Sequence, residues 1–391
     1  MAPIRVGLIG LSASAKTAWA STAHLPYLLS PAGRSKFEIV ALLNSSVSAA
    51  RSAIEFYNLP PTTRAYGSPT DLAADPDVDL VVCNTRVDVH ERTIEASIEA
   101  GKAVFCEWPL AQNREHAAAL VSKAEKAGNL NQTIIGLQGR VFPLIENLRK
   151  FIASGRIGKV LSSEVRVFGG LNDRTILPES LEYFTRREVG GNIYAIGFAH
   201  VFDTVQSVLG EIEKDRETGK AVHGHFQLQR PDVRIRDAKG GISRTVKSDV
   251  PDLVLIAGTL PESPTTQKGA TLHYRFRRGQ PFPGDPNLTW SINGEKGEIR
   301  VVSPAAAFLN IGVDDPPITT VLHDFETDKV TPLEWEWADW QKSLPTAARN
   351  IGGLYEAFAA AKEGGDVGYP TFASALERHK QMEELISGWS A

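Results

Sequence analysis

Cysteine is scarce in this chain: Cys83 and Cys106 are the only two in 391 residues. Both lie in apolar, strand-like runs without the spacing of a metal centre, which argues against a disulfide scaffold and assigns no metal site. Two buried thiols in a reducing compartment are the expectation. No apolar run approaches the roughly 20 residues of a membrane span. The N-terminus enters a strand by about residue 4 with no charged-then-apolar leader, so a cytoplasmic protein is expected, nuclear if it is regulatory. Basic residues are scattered and the formal net charge is −4, which argues against direct contact with nucleic acid or a membrane surface. Internal repeats and low-complexity tracts are missing too. What is present, 42% hydrophobic and 23% charged residues, describes a globular chain long enough for two domains.

Up to about residue 140, short β-rich runs alternate with helical stretches: Ile4 to Ile9, Phe37 to Leu43, Leu80 to Cys83, Ala103 to Cys106 and Thr133 to Leu137. Ser68 and Asn113 open helices, and Gly101 closes one that starts near Val89. The pattern predicts an α/β domain over 1–140, a Rossmann-type doubly wound parallel sheet. After a helix over about 142–154 the period changes to two, with strands near 162–168, 222–228, 253–259, 271–276, 288–292 and 298–302. Residues 141–391 are therefore expected to form an α+β domain with a large, mostly antiparallel open sheet, interrupted by a helix over about 190–209 and closed by one over about 372–386. The charged segment 214–250 and the stretch 279–286 are read as excursions from that sheet. An open sheet with an uncovered face would expose a large apolar patch, so a homodimer through the C-terminal sheet is expected.

The chemistry-bearing residues gather at strand ends. Gly10 closes the first strand as a turn glycine, while Ser12 and Ala15 stand where a dinucleotide fingerprint wants its second and third glycines. The Ser12 hydroxyl could replace a main-chain contact to phosphate. Thr85 and His90 follow the Leu80 to Cys83 strand, and Glu107 and Trp108 follow the next one, all on the edge where open α/β sheets bind ligands. An indole there could stack on a flat ring. Where NAD sites place a carboxylate on the ribose, this chain has Asn44, Ser45 and Ser46, with Arg51 nearby. NADP is therefore at least tolerated, and the cofactor is expected to be NADP or NAD. Ser45 and Ser46 could equally cap the following helix.

The order Gly7-x-x-Gly10, His24-Leu25-Pro26, Thr85 with His90, Glu107-x-Pro109, Gln138-x-Arg140, Gly155-x-Ile157-Gly158, His200-x-x-Asp203 and Gly294-x-x-Gly297 resembles the glucose-fructose oxidoreductase and inositol dehydrogenase superfamily over nearly the whole chain. Within it, Gly10-Leu11-Ser12-Ala13 with Trp19, Glu107-Trp108, Leu137-Gln138-Gly139-Arg140 and Val250-Pro251-Asp252 are similar to the fungal galactose-regulon repressor family. The resemblance implies an NAD(P)-dependent oxidoreductase acting on a sugar, polyol or other small molecule. It also implies a dinucleotide site including Gly10, Ser12, Ala13, Trp19, Ser45, Arg51, Thr85, His90, Glu107, Trp108 and Gln138. The chain departs from the pattern where it matters for proton transfer: Trp108 replaces the lysine of Glu-Lys-Pro, and Ile196 stands where an aspartate is expected.

An indole N–H cannot replace an ammonium as an acid at neutral pH. His200 remains as a general acid/base candidate, with Tyr194 six residues away and off its helical face unless the helix is broken. Trp108 completes the candidate catalytic set. Three readings follow: an oxidoreductase using NADP or NAD on a small-molecule substrate, a non-catalytic dinucleotide-binding transcription regulator, and non-redox chemistry in the same pocket.

Overall fold

The computed structural model describes residues 2–13, 18–169, 173–213, 223–307 and 309–391. Among them, no helix is long and apolar enough to cross a membrane. The chain divides into two compact units, Met1–Val141 with Ala338–Lys380, and Phe142–Trp337 with Gln381–Ala391.

In the first unit, runs of β-branched and leucine residues form six parallel strands: β1 (Ile4–Ile9), β2 (Phe37–Leu43), β3 (Arg64–Tyr66), β4 (Leu80–Cys83), β5 (Ala103–Cys106) and β6 (Thr133–Ile135). Their order, β3-β2-β1-β4-β5-β6, is that of a dinucleotide-binding doubly wound sheet, with its reversal between β1 and β4. Local signals set the helix ends. The Asn113 side chain accepts from the His116 amide at 3.0 Å to start the helix Arg114–Ala127, and Gly128, at φ +71°, ends it.

The expected division at residue 140 needs a correction, because the chain returns to the first unit. Helix Thr346–Lys362 sends Ala348, Ile351, Leu354, Tyr355 and Phe358 into the same core as Val6, Leu8, Tyr27 and Phe105. Its apolar stripe closes one face of the parallel sheet, a pairing over more than 300 residues that local periodicity does not reveal.

The second unit holds an eight-stranded sheet built from β7 (Val160–Gly169), β9 (His223–Gln227), β12 (Leu253–Thr259), β13 (Thr266–Arg278), β14 (Leu288–Gly294), β15 (Gly297–Ser303), β16 (Thr319–Asp324) and β17 (Lys329–Pro332). The order is β17-β16-β15-β14-β7-β13-β12-β9, antiparallel throughout except for β7 with β13. Period-two burial puts Leu272, Tyr274 and Phe276 on the covered side, where Phe198 and Phe202 meet them edge-on. Of the segment expected to be an excursion, residues 214–222 lie outside the described ones, and residues 232–247 join a separate small sheet. Strands β8 (Ile176–Pro178), β10 (Asp232–Arg236) and β11 (Ile242–Lys247) pair around Leu177, Val233 and Ile235.

The opposite face of the large sheet, expected to be an apolar patch, is mixed, with Leu255 and Ala257 partly exposed on it beside polar positions. Glu164, Arg166, His273, Arg275, Thr289 and Ser291 occupy its outward positions. Strict alternation along β7 and β13 assigns polar side chains there, which the apolar half of the pattern alone did not make plain.

Candidate functional site

The carboxyl edge of the parallel sheet is built from main-chain links between strand ends. The Asn84 amide donates to Ile9 O at 3.1 Å, Gly10 N to Leu43 O at 3.1 Å, and Glu107 N to Cys83 O at 3.2 Å. Gly10 takes φ +89°, and a Cβ there would lie 3.2 Å from the Asn84 main chain. Only glycine fits this close approach between the ends of β1 and β4, where the strand order reverses. Ser12 is half-buried, its carbonyl accepting from the Tyr57 hydroxyl at 3.3 Å, and Ala13 is exposed. Ala15 lies outside the described residues.

Along this edge several buried polar atoms have no hydrogen-bond partner among the described residues. They are both amide atoms of Asn84, Nε1 of Trp19 and Oε1 of Gln138. Each such atom costs about 1–3 kcal/mol when left dry, so folding alone does not account for them. A polar dinucleotide offers both the donors and the acceptors they lack, and the glycine turn leaves its backbone open to phosphate. The residues present fit such a cofactor.

A second set of polar groups on the same edge is fully engaged. His24 Nε2 lies 2.8 Å from Glu107 Oε1, and His24 Nδ1 lies 2.9 Å from the Tyr355 hydroxyl. A carboxylate only accepts, so Nε2 donates to Glu107, while Nδ1 shares a hydrogen bond with the tyrosine hydroxyl. Burial holds the Tyr355 hydroxyl well above its ordinary pKa, which keeps it a donor. A Cβ on Gly136 would lie 2.7 Å from Glu107 Oε2, so this glycine makes room for the carboxylate. Glu107, expected in a cofactor site, is held by partners that no neighbouring residue in the sequence marks. Tyr355 carried no local signal, because it comes from the returning helix.

His90 is also engaged. It is 1% exposed, with Nε2 2.9 Å from Thr85 O and Nδ1 3.0 Å from Pro109 O. Its ring clamps the turn after β4 to the turn after β5, and the expectation that it contacts a cofactor is corrected. Its Nδ1 also lies 3.3 Å from Cys106 Sγ, and the ligand-type atoms of Cys83, His90 and Cys106 fall within 4.8 Å of one another. Pairing of β4 with β5 brings Cys83 opposite Cys106, a grouping that sequence spacing concealed. Thr85 is half-buried, its hydroxyl 3.3 Å from Cys83 Sγ.

At the end of β2, Asn44 donates to Leu11 O at 2.8 Å and Ser46 caps helix Val47–Phe56 through the Ala49 amide at 3.1 Å. Both therefore serve the fold, while Ser45 and Arg51 remain exposed.

The candidate catalytic residues fare unevenly. Trp108 is 5% exposed and its ring packs against His379, centroids 4.9 Å apart. The picture of an open indole waiting for a flat ligand is corrected accordingly. In the second unit, Tyr194 sits in a π-helical turn, Ile193–Phe198, that runs into helix Ala199–Leu209. The break in the helix that a His/Tyr pair would need is thus present. Yet the Tyr194 hydroxyl donates to Met382 O at 2.8 Å, its ring stacks on Phe198, and burial pushes its pKa up. Tyr194 is a core residue and leaves the catalytic set. His200 opens the α-helical part, largely buried.

Residues 4–134 match the family described as "Oxidoreductase family, NAD-binding Rossmann fold", and residues 143–303 match "Gal80p, C-terminal domain". The chain is 29% identical over 303 residues to dehydrogenase aclE of Aspergillus oryzae, covering 77% of each. It is 28% identical over 311 residues to the galactose/lactose metabolism regulatory protein GAL80 of Kluyveromyces lactis, covering 78% of this chain and 64% of that one. Among solved structures, a super-repressor mutant of Gal80p from Saccharomyces cerevisiae superposes with a TM-score of 0.82 at 25% identity, covering 100% of this chain and 98% of that one. A levoglucosan dehydrogenase shares the fold, with a TM-score of 0.70 at 19% identity over 99% and 96% of the two chains. The protein thus joins an NAD-binding Rossmann domain of the glucose-fructose oxidoreductase and inositol dehydrogenase type to a C-terminal domain of the Gal80p type.

Proposed function

We propose that this protein is an NAD(P)-dependent oxidoreductase acting on a sugar, polyol or other small carbonyl or hydroxyl compound, with an atypical active site. The observation that carries the reading is the edge between β1 and β4, where Gly10 is pressed against Asn84 and the Asn84 side-chain amide is buried without a partner. Gly10, Ser12, Trp19, Asn84 and Gln138 would hold the dinucleotide. When bound, it supplies the hydride chemistry and the protein orients it. Ser45 and Arg51, exposed and with no carboxylate at the end of β2, favour acceptance of a 2′-phosphate, so NADP is expected to bind at least as well as NAD. His200 is the group assigned to proton transfer. Cytoplasmic placement and a homodimer through the outer face of the large sheet belong to the same proposal.

A second reading, a non-catalytic dinucleotide-binding regulator like the galactose repressor, is favoured by the loss of acid/base groups. Trp108 is buried, Tyr194 is locked in the core, and Ile196 replaces a carboxylate. Calorimetric titration with NADP(H) and NAD(H), followed by a spectrophotometric screen of sugars, polyols, aldehydes and ketones with wild type and His200→Ala, separates the two. Turnover that collapses in His200→Ala supports the enzyme. Cofactor binding without turnover on any substrate class supports the regulator.

A further inference from the structure

Both cysteines of the chain meet one residue inside the carboxyl edge of the parallel sheet. Cys83 ends β4 just before Asn84, Cys106 ends β5 just before Glu107, and the pairing of the two strands makes them register partners. Their side chains therefore leave the same face of the sheet side by side. His90, at the start of helix His90–Glu99, closes the group, with Nδ1 3.3 Å from Cys106 Sγ. Cys83, His90 and Cys106 are 0%, 1% and 0% exposed. Spacing along the sequence marks no metal centre here; strand pairing creates the grouping.

The histidine has one hydrogen too few for its surroundings. Nε2 lies 2.9 Å from Thr85 O, while Nδ1 lies 3.0 Å from Pro109 O and 3.3 Å from Leu110 O. Main-chain carbonyls only accept, and a neutral imidazole carries a single N–H. With Nε2 donating to Thr85 O, the Nδ1 lone pair faces two carbonyl oxygens and a sulfur, an electron-rich corner that favours a cation. A far-side N–H given to a main-chain carbonyl is also how metal-bound histidines are oriented.

We propose that Cys83, His90 and Cys106 form a structural zinc site that ties the end of β4 to the end of β5. Zinc takes sulfur at about 2.3 Å and nitrogen at about 2.0 Å, so its tetrahedral ligand atoms lie about 3.5–3.8 Å apart. The three donor atoms already fall within 4.8 Å of one another, and a contraction of about 1 Å closes the set. The Thr85 hydroxyl, 3.3 Å from Cys83 Sγ and half-buried, supplies an oxygen for the fourth position and opens the set toward solvent. Charge selects the ion. Two thiolates and a neutral imidazole balance a divalent cation, whereas a monovalent copper ion would leave net negative charge in a dry site. Binding releases the two thiol protons to solvent, and no electron moves. A disulfide suits the pair less well: parallel strands about 4.8 Å apart hold the two Cβ atoms wider than the roughly 3.8 Å a disulfide prefers, a gap that an ion can bridge.

The test uses the full chain, reduced and freed of metal with a chelator, titrated with cobalt(II) as a spectroscopic probe and then with zinc. The sequence has no other cysteine, so thiolate-to-cobalt charge transfer reports this site alone. One bound equivalent is expected, with the charge-transfer band of two thiolates, the strong visible bands of tetrahedral cobalt, and loss of both when zinc displaces it. Cys83→Ala and Cys106→Ala should each halve the charge-transfer band and weaken zinc at least tenfold, read by competition with a chromophoric chelator. His90→Gln should weaken zinc at least tenfold while both thiolates still bind. Saturating zinc should raise the melting temperature of wild type but not of Cys83→Ala. The wild-type spectrum decides the matter without any variant. Weak octahedral bands without charge transfer mean an adventitious ion only and overturn the proposal. Equal zinc affinity in the variants does the same. So does a thiolate absorption that is present before metal and unmoved by cobalt, because a cysteine and His90 would then already neutralise each other.

Discussion

Two stretches of the same sheet edge treat their polar groups in opposite ways. Around β5, Glu107, His24 and Tyr355 form a chain in which each named contact is short and internal, and His90 is held between two main-chain carbonyls. Around β1 and β4, Asn84 and Trp19 keep buried polar atoms without protein partners, as Gln138 does after β6. The engaged groups hold strand ends and turns in place, so their loss should appear in stability. The vacant groups contribute little to the fold, so their loss should appear in ligand affinity.

The largest effect is expected from His24→Ala. It strips a buried carboxylate and a buried hydroxyl of their common partner, and breaking such a pair costs about 3–5 kcal/mol. Urea unfolding of the cofactor-free protein measures it. Tyr355→Phe removes one hydrogen bond at the far end and should cost about 1 kcal/mol. If His24→Ala unfolds within about 1 kcal/mol of wild type, the engaged network is not structural and the contrast fails.

His379 comes next, because its buried Nε2 lacks a partner while its ring packs on Trp108. Burial lowers its pKa from 6.5 to about 4. The unfolded chain therefore binds a proton that the folded chain refuses between those values. Stability from this group is full above pH 6.5 and falls as the pH drops toward 4, by about 3 kcal/mol at most, at about 1.4 kcal/mol per unit. Unfolding measured across that window should show the decline, and His379→Gln should flatten it. An unchanged slope in the variant would place the titration elsewhere.

Much of this was legible from residues in order, and the failures share one cause. The strand runs and the turn at Gly10 announce themselves locally, because burial on both faces demands continuous apolar segments and a tight turn demands small residues. The strands of the second unit, such as Leu253–Thr259, show in the same way through alternation. Tyr355, Met382 and His379 did not announce their roles, since each meets its partner across nearly 200 residues or more. Tyr194 and Trp108 looked reactive because of their chemistry, and only tertiary packing shows them covered. The charged segment after residue 230 hid its strands for a related reason: β11 lies at a sheet edge with mostly exposed side chains, so no apolar alternation marks it.

Gly10→Ala tests the close approach that makes the vacant region possible. The substitution forces a side chain into φ +89° and to 3.2 Å from the Asn84 main chain. A loss of about 1–2 kcal/mol in stability is expected from the backbone alone. Dinucleotide affinity should fall further than stability does, because the turn that admits phosphate must move. Parallel melting and titration curves measure both, and equal losses would mean that the turn serves only the fold.

Asn84→Leu gives the smallest change in stability and the sharpest discrimination between the two regions. Leucine keeps asparagine's branching at Cγ and its number of side-chain heavy atoms, so the shape is roughly kept while two unpartnered polar atoms disappear. Replacing such a group with an apolar one of the same shape is nearly neutral or stabilising, so cofactor-free melting should hold or rise slightly. A bound dinucleotide would then lose one hydrogen-bonding amide, worth about 1.4 kcal/mol or tenfold in affinity for NADP. A variant that melts much lower than wild type would place Asn84 among the engaged groups. If it binds NADP as well as wild type does, the amide is not a ligand contact, and the vacancy between β1 and β4 needs another explanation.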